Sequence, residues 1–212
     1  MTAALPDNHV PSPFRTREQR SAERAEKREA VLRAAVRMFN ARGFHATSLD
    51  DVAASLGISK PTIYHYLGNK EQVLIECVTR GLELLSVAAE EVRAAPGDGL
   101  TRLRAFLHRY ARLMMDDYCR CVVRTGDESL SPEGAALFRA RKRGIDQSLR
   151  ALIADGVADG SIAPVDVRMA AFMLAGALNW PGRWHDPAGP MSPEAIADAL
   201  VDLLIRGLAP RA

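Results

Sequence analysis

The 212-residue chain is poor in aromatics, at 6%, and holds only three cysteines. Cys77, Cys119 and Cys121 are an odd set without a C-x-x-C pair, so no disulfide framework is expected. Cys119 and Cys121 could instead serve a metal- or redox-responsive regulator, with His108 nearby; as small residues on a helix they need no such role. Long apolar runs are missing as well. The longest, Met169 to Leu178, falls well short of the ~18–20 residues of a membrane span, so no membrane partner is expected. The N-terminus shows no apolar stretch of the kind that directs secretion, and a cytoplasmic protein is expected. Catalytic signatures are also lacking: there is no G-x-S-x-G, H-E-x-x-H, glycine-rich phosphate loop or dinucleotide fingerprint. His9, His45, His65, His108 and His185 are scattered, with no helical i,i+4 pair. Neither an enzyme nor a cofactor or metal is expected. Charge of one sign is absent too, since 28 Lys and Arg face 26 Asp and Glu, a net +2. Residues 1–80 hold 12 of the basic and 9 of the acidic residues, or +3; the remaining 16 and 17 give −1. A nucleic-acid partner must therefore be argued from the placement of charges.

Alanine and leucine are abundant, which favours helices. The densest pattern is TSLDDVAASLGISKPTIYHYLGNKEQVL, Thr47 to Leu74. Leu49, Val52, Ala53 and Leu56 recur at i, i+3, i+4 and i+7. Ser48 with Asp51 makes a capping-box pattern, and Gly57 can end the helix in the left-handed conformation. Ser59 is a second N-cap, with Pro61 in the first turn that follows. Helix, glycine turn, helix is a helix-turn-helix. The second helix carries Lys60, Thr62, Tyr64 and His65, side chains that reach base edges and phosphates, while Ile63 and Tyr66 anchor it. Asn69 caps the next helix with Gln72 at the box position. Lys70 in its first turn makes a phosphate site.

This stretch resembles the DNA-binding signature of TetR-family transcriptional repressors, with the match running from Ala30 to Leu74 and centred on Tyr64, His65, Tyr66 and Lys70. Periodicity and caps along the chain give an all-α reading of about nine helices, and the resemblance implies two domains. The N-terminal three-helix helix-turn-helix domain would read an operator as double-stranded DNA. The C-terminal helical domain would dimerise and bind a small-molecule effector. The expected division is a flexible arm over 1–25, a DNA-binding domain over 26–80 and an effector-binding and dimerisation domain over 81–212. The expected DNA contacts are Thr47, Ser48, Ser59, Lys60, Thr62, Tyr64, His65 and Lys70.

Met1 to Pro13 has three prolines and no periodicity, as in a disordered arm. Arg15, Arg17, Arg20, Arg24, Lys27 and Arg28 form a basic stretch with two readings: a solvated helix face with ion pairs, or a segment touching the DNA backbone or its minor groove. Ala30 to Arg42 reads as helix one, ended by Gly43, with Phe44 able to fold back on Phe39. A long helix should run from Gln72 to about Ala94 and stop at Pro96-Gly97-Asp98-Gly99.

Further helices follow from Leu103, from Ser131-Pro132-Glu133 and from about Asp166, with a short helix or turn over Cys121 to Gly126, a loop at Pro181 to Pro190 and a last helix from Ser192-Pro193-Glu194. The helix from about Asp166 to Trp180 is apolar nearly all round and needs partners on several sides. With the last helix it would form a four-helix homodimer interface through Phe172, Ile196, Leu200, Leu203 and Leu204. One short recognition helix reads few base pairs, so two copies about 34–36 Å apart on a palindrome gain affinity and specificity. The expected effector contacts are Phe106, Tyr110, Met114, Phe138, Arg141, Phe172, Met173, Trp180, Arg183 and Trp184. Segment Asn179 to Ser192 resembles that of TetR regulators linked to fatty-acid, acyl-CoA or steroid catabolism, although His185 and Pro181-Gly182 depart from the pattern. Apolar residues mixed with arginine, including Arg124, suit an amphipathic, acyl-CoA- or lipid-like effector.

Overall fold

The computed structural model describes residues 16–208. Those residues form ten α-helices and one 3-10 turn, with no strand among them. The N-terminal helices are α1 (Arg17–Arg42), α2 (Leu49–Ser55) and α3 (Lys60–Leu67). Then follow α4 (Lys70–Arg93), α5 (Gly99–Leu113), α6 (Asp117–Arg124) and α7 (Pro132–Ala158). The last three are α8 (Val167–Asn179), α9 (Pro181–Trp184) and α10 (Pro193–Leu208). Among the described residues no helix is long and apolar enough to cross a membrane.

The helix boundaries follow local chemistry. Ser48, Ser59 and Asn69 each accept the amide of the residue three positions on, at the starts of α2, α3 and α4. Each bond satisfies one of the four amides a helix start leaves unpaired. Gly43, Gly57 and Gly68 have φ of 87°, 63° and 70°, a region open to glycine without steric cost. Phe44 folds back on Phe39, edge to face, with centroids 5.3 Å apart.

Three boundaries differ from expectation. Helix α1 starts at Arg17 rather than Ala30, because Thr16 and Gln19 form a capping box there and nothing after it breaks the helix. Residues 17–25 of the expected arm are therefore helical; 1–15, with Arg15, lie outside the described residues. Helix α6 starts at Asp117, capped by Asp116, four residues before the short helix or turn expected over Cys121 to Gly126, and ends at Arg124. The expected loop at Pro181 to Pro190 opens with the single turn α9, whose first residues, Pro181 and Gly182, are buried.

One apolar core runs through the chain, with α4 as the shared wall. Its Val73, Leu74 and Cys77 pack with Leu32, Ala35 and Ile63 of the N-terminal helices. Its Leu82, Leu85 and Ala89 pack with Leu103, Phe106 and Leu152 of the second half. Helices α4 and α6 cross closely at Gly81, where a Cβ would lie 2.8 Å from Val122 Cγ2 and 2.9 Å from the Tyr118 carbonyl.

Candidate nucleic-acid interface

Helix α3 is held from behind and open in front. Ile63 is fully buried and Leu67 nearly so, and Arg28 Nε donates to the Tyr66 carbonyl at 3.1 Å. Tyr64, by contrast, is 49% exposed, and Lys60 and His65 are also exposed. Lys60 Nζ is paired with Asp50 Oδ2 of α2 at 2.6 Å. Thr62 is half-buried, its hydroxyl 2.8 Å from Ser59 Oγ. Arg24 of α1 donates to His65 Nε2 at 3.1 Å. Lys70 Nζ stands 4.2 Å from the centre of the Phe44 ring at the start of α4, and burial lowers its pKa. The starts of α2 and α4 thus lie beside one outward-facing helix bearing a threonine hydroxyl, a phenol, an imidazole and one lysine, Lys60, with Lys70 on α4 next to it.

Thr47 is not part of that surface. It is 1% exposed, and its hydroxyl donates to the carbonyls of Gly43 at 2.9 Å and Met38 at 3.4 Å. A threonine facing back toward α1 closes the turn after it and cannot meet a phosphate. Ser48 is exposed, but its hydroxyl donates to Asp51 Oδ2 at 2.6 Å.

The second half encloses a cavity of about 330 Å³ between α4, α5, α6, α7 and α8. Of the residues expected around an effector, Tyr110, Met114 and Arg183 line it. The Tyr110 hydroxyl donates to Asn179 Oδ1 at 3.0 Å, and burial raises its pKa. Phe106 and Phe138 are buried in the core but do not reach the cavity, and Arg141 pairs with Glu83 at 3.2 Å. Phe172, Met173, Trp180 and Trp184 are exposed, each at least 47%. Composition marked them as ligand contacts, but they fall on the outward side of α8 and at the two ends of α9. Five of the residues that wall the cavity, Leu82, Leu85, Val122, Ile145 and Leu149, were missed, since in sequence they are ordinary core aliphatics. Lys142 and Asp146 line both this cavity and an open groove formed by Arg139, Arg143, Arg150 and Phe172.

Helix α6 joins the cavity to the DNA reader. Its Val122 and Val123 face the cavity, while the Tyr118 hydroxyl donates to Glu29 Oε1 of α1 at 2.7 Å. Glu29 also receives Arg80 of α4 and Arg33. Partial burial alone would raise the Glu29 pKa, but the Tyr118, Arg80 and Arg33 donors outweigh it and bring it down to about 2. Arg37 donates to Asp117 Oδ2 and Asn40 to the Asp117 carbonyl, both at 2.8 Å. Arg124, expected near an anionic ligand, is instead used on the carbonyls of Asn40, Gly182 and Arg183.

The cysteines do not converge on one point. Cys119 Sγ donates to the Gly81 carbonyl at 3.3 Å, while Cys121 shares a hydrogen bond with Cys77 and lies 3.7 Å from the Thr125 hydroxyl. His108 pairs with Asp198 at 3.3 Å. Burial raises the pKa of the Cys77 and Cys119 thiols. Among the described residues no three His, Cys, Asp or Glu are grouped to hold a metal ion.

Comparison with known proteins agrees with this geometry. Residues 31–77 match the family model "Bacterial regulatory proteins, tetR family", and residues 96–208 match "Tetracyclin repressor-like, C-terminal domain". The chain is 27% identical over 200 residues to the HTH-type transcriptional repressor KstR2 of Mycolicibacterium smegmatis, covering 87% of this chain and 91% of the relative. It superposes on the TetR-family regulator PfmR of Thermus thermophilus with a TM-score of 0.75 and 36% identity, over 85% of this chain and 99% of that one. AibR, solved in complex with isovaleryl coenzyme A and operator DNA, gives a TM-score of 0.74 and 28% identity, over 84% and 98%. With the helix-turn-helix exposed as a duplex reader and family models matching on both sides of the end of α4, the chain belongs to the TetR family of DNA-binding transcriptional regulators.

Proposed function

We propose that the chain is a homodimeric repressor that holds a palindromic operator and is released by an amphipathic acyl thioester. Lys60, Thr62, Tyr64 and His65 enter the major groove. Ser48, Ser59, Tyr64 and Lys70 hold phosphates. Dimerisation brings two such helices to one duplex. A stripe along α8, Met169, Phe172, Met173, Gly176 and Trp180, supports the dimer: all five are exposed, at i, i+3, i+4, i+7 and i+11. A contiguous apolar stripe in water marks an interaction face. Leu203 of α10, 69% exposed, extends it, and Gly176 leaves open space where a second helix can approach. Leu200 and Leu204 are half-buried; Ile196, at 3%, is buried within the protomer and is removed from the interface.

The observation that carries the effector reading is the cavity and its exit. At about 330 Å³ it suits a short acyl chain and is at the small end for a ligand site. Its apolar walls give way at Lys142 and Asp146 to the arginine groove, where Arg150 and Arg168 stand 5.3 and 5.5 Å from the Phe172 ring. An apolar tail would fill the cavity and an anionic nucleotide head would lie outside, the class of ligand that AibR carries. The tail presses on Val122 and Val123, and α6 passes the displacement to α1 through Tyr118 and Asp117. Release requires the thioester to bind the non-operator conformation more tightly than the operator-bound one.

The test uses a palindromic duplex enriched by the purified protein from random-sequence DNA. Short straight- and branched-chain acyl-CoA thioesters should release it at lower concentration than free CoA or the matching fatty acids. Val122→Trp should fill the cavity and abolish release while operator binding persists. Release by CoA alone, or by none of the series, would overturn the effector class.

A further inference from the structure

The first three turns of α1 serve no core. Residues 16–22 are exposed, Glu23 is half-buried, and none of residues 17–27 is an apolar residue larger than alanine. Yet the helix is firmly begun: Thr16 and Gln19 exchange bonds of 2.9 and 3.1 Å in a capping box. A capped helix that buries nothing calls for another partner.

Its charges are sorted around the axis. At 100° per residue, Arg17, Arg20, Arg24 and Arg28 fall within about an 80° arc, while Glu18, Glu23 and Glu26 lie outside it. The direction of that arc is fixed by two of its members. Arg28 donates to the Tyr66 carbonyl, and one turn earlier Arg24 donates to His65 Nε2 on the exposed side of α3, both at 3.1 Å. Arg20 and Arg17 continue the same line beyond the recognition helix, and no carboxylate pairs with either among the described residues. From Arg24 to Arg17 the helix rises about 10 Å, the length of about three base pairs.

We propose that Arg17 and Arg20 form a further DNA-binding site, gripping the backbone phosphates of duplex that flanks the base pairs under α3. The proposal rests on α3 lying in the groove; if it does, the arginine line runs out along the neighbouring backbone. Guanidinium groups on a preformed helix lose no backbone entropy on meeting phosphate, unlike those on an unstructured arm. Arg24, bonded to His65, sets the angle between the two helices, so the flank and the half-site are read in fixed register.

The enriched palindrome is prepared in two lengths, one trimmed to its two half-sites and one keeping about five base pairs of flank at each end. Arg17→Ala/Arg20→Ala should fold unaided, because both sites are exposed and alanine is the better helix former. Wild type should bind the long duplex at least about tenfold more tightly than the short one, and the double variant should lose that gain. On the long duplex its slope of log affinity against log salt should be shallower by about 3 to 4, for four arginines in a dimer. Arg17→Lys/Arg20→Lys should restore most of the slope. Equal slopes for wild type and the alanine variant, or no gain from the flank in wild type, would overturn the proposal. A loss that varies with the flanking base sequence would overturn the phosphate assignment in favour of groove readout. Failure of wild type to bind even the short duplex would refute the placement of α3 itself.

Discussion

At the scale of single residues, the interface depends on a few polar groups whose neighbours decide their role. Thr47 and Ser48 are adjacent and chemically alike, yet one is buried against Gly43 and Met38 and the other faces solvent. Lys70 sits over Phe44 at the start of α4, where lysine charge and helix dipole act together. Lys70→Ala should weaken binding to every duplex alike and make the salt slope shallower by about 0.9 for each phosphate no longer held; salt-titrated anisotropy measures it. An unchanged slope would remove Lys70 from the phosphate set. His185 is a structural counterpart. It is 4% exposed, and neither ring nitrogen has a partner. Burial, helped by Arg120, lowers its pKa below 6.5. The unfolded chain therefore takes up this proton first, and stability falls as pH drops below about 6.5. His185→Leu should reduce the drop in melting temperature between pH 7.5 and 5.5; an equal drop in both proteins would contradict this.

At the scale of elements, α6 is a short helix with long consequences. It meets α4 at Gly81, the cavity at Val122 and α1 at Glu29, Arg37 and Asn40. Its close approach to α4 is possible only without a side chain at Gly81. Gly81→Ala should cost about 1–3 kcal/mol in chemical denaturation, since a Cβ at 2.9 Å from a backbone carbonyl cannot be relieved by a rotamer change. A cost under about 0.5 kcal/mol would mean that the crossing has room for a methyl group. The same reasoning accounts for Pro181-Gly182. A Cβ at Gly182 would lie 2.8 Å from Val123 Cγ2 and 2.9 Å from the Met114 carbonyl, so α9 packs closely on α6 and the end of α5 through a residue that has no side chain. Trp180 and Trp184, on either side of this contact, are exposed.

At the scale of the whole molecule, the apolar stripe on α8 is an unmet demand of the protomer. Met173, 66% exposed, lies at its middle. Met173→Glu should leave helicity and melting of the protomer largely intact but give a monomer by light scattering. It should also abolish operator binding, since a lone protomer grips only one half-site. A variant that stays dimeric would place the interface elsewhere. Dimerisation, effector and flank contact would then meet in one assembly: the stripe sets the spacing of the two readers, the cavity alters it, and α1 extends the grip.

How much of this was legible from sequence differed from element to element. Caps and turns were legible because they are local: Ser48 with Asp51, Ser59, Asn69 with Gln72, and the glycines at 43, 57 and 68 act within four residues of themselves. The helix-turn-helix, its outward Tyr64 and His65, and membership of the TetR family follow from such short-range chemistry and from a motif with fixed spacing. The start of α1 was placed at Ala30, although a helix face was one of the two readings of the basic run and the Thr16–Gln19 box is as local as the other caps. The cavity was not legible. Whether an aromatic lines a pocket, fills a core or faces a second chain depends on which helices surround it, and composition rates Tyr110, Phe138 and Phe172 alike. Sequence by itself determined the all-helical class, the caps and glycine turns of the helix-turn-helix, and the outward side chains of α3. Only the tertiary packing decided that Leu82 and Val122 enclose a cavity, that Ile196 faces inward, and that the arginines of α1 point past His65. Those outcomes depend on contacts between residues far apart in the chain, which no local rule encodes.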